Sequence, residues 1–299
     1  MQRGTSLERR IDVVARRVLQ GAPHRGVRAG LIEFTVFLLK QAWACIFGAS
    51  LLALIIAARL WYPDDALLAR NDALTLAAVL IQVVMITFRL ETGRELWVIV
   101  IFHITGTVME LFKTDVGSWE YAAGGYLHLG AVPLFSGFMY GAVGSYMVRV
   151  HRLFDLAFTR SPRRWITVVL AAAIYANFFA HHFWIDLRWV LIAAVAVLWL
   201  RTMMYARSWR VTLRLPLLAV FAGVAVFIYA AENIGTWAGA WSYPNQAGGW
   251  ELVSPSKLTS WFLLMIISVV LVTLVYPPRV PESAGALRAQ YEETPSAAG

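Results

Sequence analysis

The chain has a single cysteine, Cys45, so no intrachain disulfide is possible, and the expectation for it is a small apolar packing role. Charge is scarce as well: 15% of the 299 residues are charged and 59% are hydrophobic. A soluble domain carries about a quarter charged residues, so this composition excludes that class. Familiar cofactor and catalytic signatures are missing. The sequence has no G-x-G-x-x-G, no G-x-x-x-x-G-K-[ST], no G-x-S-x-G and no H-E-x-x-H. A dinucleotide, ATP or a serine-nucleophile elbow has no recognisable seat, and no cofactor is expected. Residues 1–30 are rich in Arg and lack an apolar core, so no cleavable signal is expected and the first span serves for insertion.

What the chain has instead is long apolar runs and a mean hydropathy of +0.62. About 20 helical residues cross a hydrocarbon core of about 30 Å. Eight spans are expected, near 38–60, 73–89, 95–113, 126–148, 165–183, 188–206, 214–233 and 258–277. In lipid each backbone N–H and C=O needs a partner within its own element, which makes these spans helices. The reading is an all-α polytopic membrane protein of about eight transmembrane helices. The formal charge of +8 does not point to nucleic acid, because its distribution follows topology. Arg3, Arg9, Arg10, Arg16, Arg17, Arg25 and Arg28 precede the first span, and Arg149, Arg152, Arg160, Arg163 and Arg164 lie between the fourth and fifth. Arg201, Arg207, Arg210 and Arg214 follow the sixth, whereas the alternate loops hold only Arg59, Arg70, Lys113, Arg188 and Lys257. This positive-inside pattern places both termini in the cytoplasm, in a bacterial inner membrane, with basic residues against anionic headgroups.

The segment Glu110–Pro133 recurs 122 residues later as Glu232–Pro255. Glu110, Gly117, Trp119, Tyr121 and Pro133 match Glu232, Gly239, Trp241, Tyr243 and Pro255. Two parallel four-helix repeats are expected, 31–157 and 158–277, between a basic amphipathic arm at 1–30 and a disordered tail at 278–299. Both motifs fall on the outer face.

Glu110 closes the third span, with His103 seven residues earlier on the same helical face, and Glu232 with Asn233 occupies the corresponding place in the second half. Intramembrane carboxyls are costly and mark either packing or function. The catalytic candidates are therefore Glu110, Glu232, His103 and Asp115, with Glu110 as proton donor. Trp119, Tyr121, Trp241 and Tyr243, with His128 and Asn233, are the candidates for binding an apolar substrate, although an ordinary aromatic belt would also hold such rings. A third cluster, A-H-H-F-W-I-D at 180–186, offers His181, His182 and Asp186 as metal ligands, joined by His103 or His128, at zinc-like distances of about 2.0–2.2 Å. Its bland reading is hydrogen bonding at an interface.

The runs H-I-T-G-T-V-M-E-L-F-K-T-D-V-G-S-W-E-Y, V-P-L-F-S-G-F-M-Y-G-A-V-G-S-Y and E-N-I-G-T-W-A-G-A-W-S-Y-P-N-Q resemble the bacterial membrane family designated domain of unknown function 817, over about 30–277. An acid, a glycine, W-x-Y and a proline before an apolar span are also similar to the heterodimeric lycopene-cyclase type of carotenoid cyclase and to carotenoid hydratases. That resemblance implies Glu110 and Glu232 as acids, with Trp119, Tyr121, Trp241 and Tyr243 around a polyene. The chain departs from the cyclases after the proline, where Leu134-Phe135-Ser136 and Ser256-Lys257-Leu258 stand in place of paired glutamates. The expected activity is cofactor-independent acid–base chemistry on a membrane lipid or isoprenoid. The alternatives are a non-catalytic lipid-binding or assembly protein and a small-solute or ion transporter. Composition leaves the oligomeric state open.

Topology is directly checkable. A reporter fused after Arg160 should read cytoplasmic and one fused after Gln246 external; the reverse result would overturn the orientation.

Overall fold

The structure is a computed structural model that describes residues 5–19, 21–23, 25–63 and 65–281. The chain runs α1 (Ser6–Leu19), α2 (Val27–Ala44), α3 (Ile46–Trp61), α4 (Arg70–Thr87), α5 (Gly93–Asp115), β1 (His128–Leu129), β2 (Val132–Pro133), α6 (Phe135–Leu153), β3 (Ala157–Thr159), α7 (Arg164–Ala180), α8 (Arg188–Trp199), β4 (Met203–Arg207), β5 (Thr212–Pro216), α9 (Leu217–Trp237) and α10 (Lys257–Val275). The helical membrane class stands. By length and apolar composition α4, α5, α9 and α10 can each cross a bilayer, and α2 with α3 adds a fifth if that pair, bent by 67°, is one span. The helices α7 and α8 are apolar but shorter.

Several boundaries differ from expectation, each for a local reason. The stretch 38–60 is not one helix, because the chain turns at Cys45 between α2 and α3. The stretch 126–148 becomes helical only at Phe135, because residues before it form the β1–β2 hairpin, with His128 opposite Pro133. The stretch 188–206 leaves the helix after Trp199, and β4 then pairs antiparallel with both β3 and β5. The 30/31 boundary falls inside α2 and the 157/158 boundary inside β3. Of the expected tail, 282–299 lies outside the described residues.

Helix ends follow from capping chemistry. Thr92 caps α5: its hydroxyl accepts from Glu95 N at 3.3 Å, and Glu95 returns a carboxylate oxygen to Thr92 N at 3.1 Å. At the other end Gly117 takes φ 68°, which lets Ser118 N reach Lys113 O at 2.8 Å. In α9 the same stop recurs, with Gly239 at φ 67° and Ala240 N bonded to Gly235 O at 3.0 Å. The bounds of α6 and α10 are likewise offset by 122 residues at both ends.

The central pair is α5 against α6. Lipid supplies no hydrophobic drive between helices, so close approach depends on small residues. Gly137, Gly141 and Gly144 of α6 face His103, Ile99 and Phe102 of α5, where an added Cβ would fall within 2.7–3.0 Å of side-chain atoms. Toward the Glu95 end the pair is tied by charge. Arg149, 0% exposed, bonds Glu95 at 3.3 Å and lies 3.6 Å from Glu91, and it reaches Trp43 O and Leu90 O as well. Arg152 bonds Glu95 at 3.0 Å and Glu8 of α1 at 2.7 Å, and Trp43 Nε1 also donates to Glu8. Two guanidinium groups thus link α1, α2, α5 and α6. Lys40 of α2 donates to Leu153 O and to the carbonyls of Arg207 and Ser208, which fastens the small sheet beneath.

Removing one member of a buried ion pair leaves the other uncompensated. Arg149→Ala should therefore cost about 3–5 kcal/mol in unfolding experiments on detergent-solubilised protein. A loss below about 0.5 kcal/mol, the size typical of a surface substitution, would show that the network carries no stability.

Candidate functional site

The two repeated glutamates are both buried, each 3% exposed, near the ends of α5 and α9 that carry the glycine stops. Glu110 accepts three hydrogen bonds. Trp119 Nε1 donates to Oε2 at 2.8 Å, Tyr121 OH to the same oxygen at 2.9 Å, and Tyr140 OH of α6 to Oε1 at 2.7 Å. Glu232 accepts from Tyr243 OH and from Trp261 Nε1 of α10. Each glutamate thus holds the tyrosine eleven residues ahead in the loop that follows its helix, plus an aromatic donor from the returning helix. Burial, followed by the charge of the adjacent carboxyl, pushes the Tyr121 and Tyr243 phenols up. They stay protonated donors.

The loops meet. Glu120 and Ser242, 122 residues apart, exchange two backbone hydrogen bonds, N to O at 3.0 and 2.9 Å. The Trp119 and Tyr243 rings stand edge to face with centroids 6.1 Å apart. Lys257 Nζ lies 4.2 Å from the Tyr243 ring centre and 5.5 Å from that of Trp119. The start of α4 holds both loops from the side. Arg70 donates to the carbonyls of Ala238 and Gly239, Asn71 to Ala122 O, and Asp72 accepts from the N–H groups of Tyr126 and Leu127. Gly125, at φ 100°, lets the backbone approach: a Cβ there would sit 2.6 Å from Asp72 Oδ1.

Other candidates take structural places. His103 packs edge to face on Phe138, 4.7 Å between centroids, against the glycines of α6. Asp115 is exposed at the end of α5. His128 is exposed in β1, and its Nδ1 lies 2.8 Å from Gly130 O. Asn233 accepts from Val253 N at 2.9 Å and donates to Tyr229 O, so it anchors the returning loop. The Trp241 ring covers Gly235, where a Cβ would lie 2.4 Å from Cη2. Among the described residues no three His, Cys, Asp or Glu side chains come together to hold a metal. His181 and His182 instead face Lys113, and Asp186 bonds Asn177, Arg188 N and the Arg188 guanidinium. An ammonium between two imidazoles repels a metal cation, so the expected ligand set does not form.

Sequence reasoning missed Tyr140, Trp261, Lys113 and the Arg70-Asn71-Asp72 run. Lys113 lies one turn beyond Glu110 on the same helix and was legible as a second intramembrane charge. Tyr140 and Trp261 sit inside returning spans, at positions that the duplication does not align.

A bundle of apolar helices with paired buried carboxyls under an aromatic rim defines a polytopic helical membrane protein with an internal polar site. More particularly, residues 33–269 match the family model described as Protein of unknown function (DUF817), and the chain belongs to that family. The uncharacterized protein YoaT of Bacillus subtilis (strain 168) is 42% identical over 234 residues, covering 78% of this chain and 88% of that one. Two solved structures of the mycobacterial Insig homologue MvINS from Mycobacterium vanbaalenii align at 16% and 15% identity, with TM-scores of 0.45 and 0.44. Each alignment covers 64% of this chain and 98% of that one, and one of the two structures is a cross-linked trimer. These matches include no carotenoid cyclase or hydratase, so that similarity is not shown and rests on the acid, glycine, Trp-x-Tyr and proline pattern alone.

The site's dependence on helix packing is testable at Gly106 of α5. A Cβ there would lie 2.2 Å from Tyr140 Cγ, so Gly106→Ala must displace the ring that donates to Glu110. The expected loss is about 1–3 kcal/mol, typical of overpacking. Gly48→Ala, with 3.9 Å to its nearest neighbour, should be close to neutral in the same unfolding assay. Equal behaviour of the two variants would refute the packing argument.

Proposed function

We propose that the protein is a cofactor-independent acid–base enzyme that acts on an apolar lipid or isoprenoid near the outer leaflet of the bacterial inner membrane. It crosses the membrane with eight spans in two related halves and keeps both termini in the cytoplasm. One observation carries the reading: Glu110 and Glu232 occupy corresponding places, each bonded to the tyrosine of its own outer loop, and the two loops are joined at Glu120 and Ser242. The matched stops of α5 and α9 and the shared offset of α6 and α10 support a duplicated architecture. The loop charges support the orientation.

Within this reading Glu110 and Glu232 exchange a proton with one substrate, and Trp119 and Tyr243 present their π faces to positive charge that develops on it. The division of roles follows the donors. All three partners of Glu110 give hydrogen bonds, so its carboxyl group is an acceptor here. Three donors stabilise the Glu110 carboxylate against two for Glu232, so Glu110 is the proposed base, the reverse of the role expected from sequence. Glu232, with two donors, is the proposed acid. A shallow apolar crevice of about 30 Å³ opens beside Tyr140 between α5, α6, α7 and α10, lined by Phe102, Met109, Tyr175 and Leu264.

A second reading has its own observation. Aromatic donors from the following loops and from α6 and α10 engage both carboxyls, which suits a lipid-binding or assembly protein that uses the glutamates as internal fasteners.

Comparing lipid extracts by mass spectrometry, from cells with and without the protein, should reveal a changed lipid or isoprenoid species. Loss of a general acid or base costs about 10²–10⁴ in rate, so Glu110→Gln and Glu232→Gln should each abolish that change while leaving a folded protein. Wild-type turnover by both variants would eliminate the enzyme, and identical extracts with and without the protein would favour the binding reading.

A further inference from the structure

Beside the carboxyl network lies a cluster that the acid–base reading leaves unused. Lys113 is 5% exposed, and its Nζ is 2.7 Å from His182 Nε2 and 3.5 Å from His181 Nε2. His181 Nδ1 lies 2.9 Å from Asn177 O, so that nitrogen carries the proton and Nε2 turns a lone pair to the ammonium. Burial first, then the charges of Lys113, His181 and Lys257, hold His182 down at about 4. It is neutral at physiological pH and accepts from Lys113. Arg188 approaches Thr259 at 3.2 Å, and Lys257 stands over Tyr243 and Trp119. Both Lys257 and Arg188 are near enough to act on Lys113 as like charges.

The local charge does not balance. Asp186 is the carboxylate within ion-pair distance of this cluster, and it is paired with Arg188 at 3.3 Å. Among the described residues neither Lys113 nor Lys257 is in an ion pair. Glu232 attracts Lys257, but its oxygens are already engaged by Tyr243 and Trp261. Three cations gathered around a half-buried edge repel one another, and a multiply charged oxyanion is the ligand that converts this repulsion into binding. The aromatic rings under Lys257 extend the same surface toward the two glutamates. A headgroup at the cations would therefore leave its hydrocarbon over Trp119 and Tyr243.

We propose that Lys113, Lys257 and Arg188, with His182 as a neutral partner, bind the phosphate group of an amphiphile whose apolar part lies on the Trp119–Tyr243 rim. The proposal rests on the lipid or isoprenoid reading of the Glu110–Glu232 site and names the head of that ligand.

The test uses the full chain in phosphatidylcholine nanodiscs, titrated by calorimetry with short-chain phosphatidic acid and, separately, with inorganic phosphate. Phosphatidic acid should bind, and Lys113→Gln and Lys257→Gln should each weaken it at least tenfold, while Arg89→Gln, at an exposed cation elsewhere in the chain, changes it less than twofold. Lys257 is the first residue of its helix, so its variant keeps the test sound if loss of the buried Lys113 disturbs folding. Glu110→Gln should retain phosphatidic acid binding, which separates this site from the acid–base chemistry: turnover can fail while the anion site stands, or the reverse. Inorganic phosphate binding as tightly as phosphatidic acid would overturn the amphiphile and leave an anion site for free phosphate, and weak inorganic phosphate beside tight phosphatidic acid would support a lipid headgroup. No binding of either probe, or binding indifferent to both lysine variants, would overturn the proposal.

Discussion

A charge placed in a membrane protein must find its partner inside the protein, and in this chain that requirement falls on the α5–α6 pair. Arg149 meets Glu95 and Glu91 toward one end of the pair, and Tyr140 meets Glu110 toward the other. Between them Gly141 and Gly144 of α6 let the backbones approach. The helices are thus bonded at both ends and close-packed in the middle, which fixes their axial register. Because Glu95 also belongs to the capping box of α5, the ion pairs and the helix start stand or fall together.

That register decides what the aromatic rim can be. Glu110 draws on two aromatics from its loop and one from α6, whereas Glu232 draws on one from its loop and one from α10. The difference arises at Trp119, which bonds its glutamate, and Trp241, which covers Gly235 instead. The loops are nevertheless one object, since Glu120 and Ser242 bind each other and the start of α4 grips both. A substitution in either half reaches the other through this contact.

Much of this was legible in the sequence, and the boundary of legibility has physical causes. Apolar length gave the helices, and the recurrence of Glu, Gly and Trp-x-Tyr located the carboxyls with the tyrosines that serve them. The partners contributed by α6 and α10 were hidden, because an aromatic inside an apolar span looks like packing until a carboxyl is seen opposite it. The turn at Cys45 has no proline or glycine at that position to announce it. His181, His182 and Asp186 were read as metal ligands because their spacing was considered without Lys113, a residue 68 positions from His181 that the fold brings against both imidazoles. His128 and Asn233 matched chemistry by type, but their hydrogen bonds go to nearby backbone.

The brevity of α8 has a consequence for the surrounding lipid. Twelve residues of helix rise only about 18 Å, well short of a hydrocarbon core of about 30 Å. Trp189 near its start is largely exposed, and Trp199 ends it. Such a flank imposes hydrophobic mismatch: acyl chains against it must shorten or splay, at a cost that grows with each ångström. The elastic strain is local, so a bilayer in contact with α8 would be thinner there than beside α5. Lipids with short or disordered chains would accumulate there, and that side of the protein would sort its own solvent.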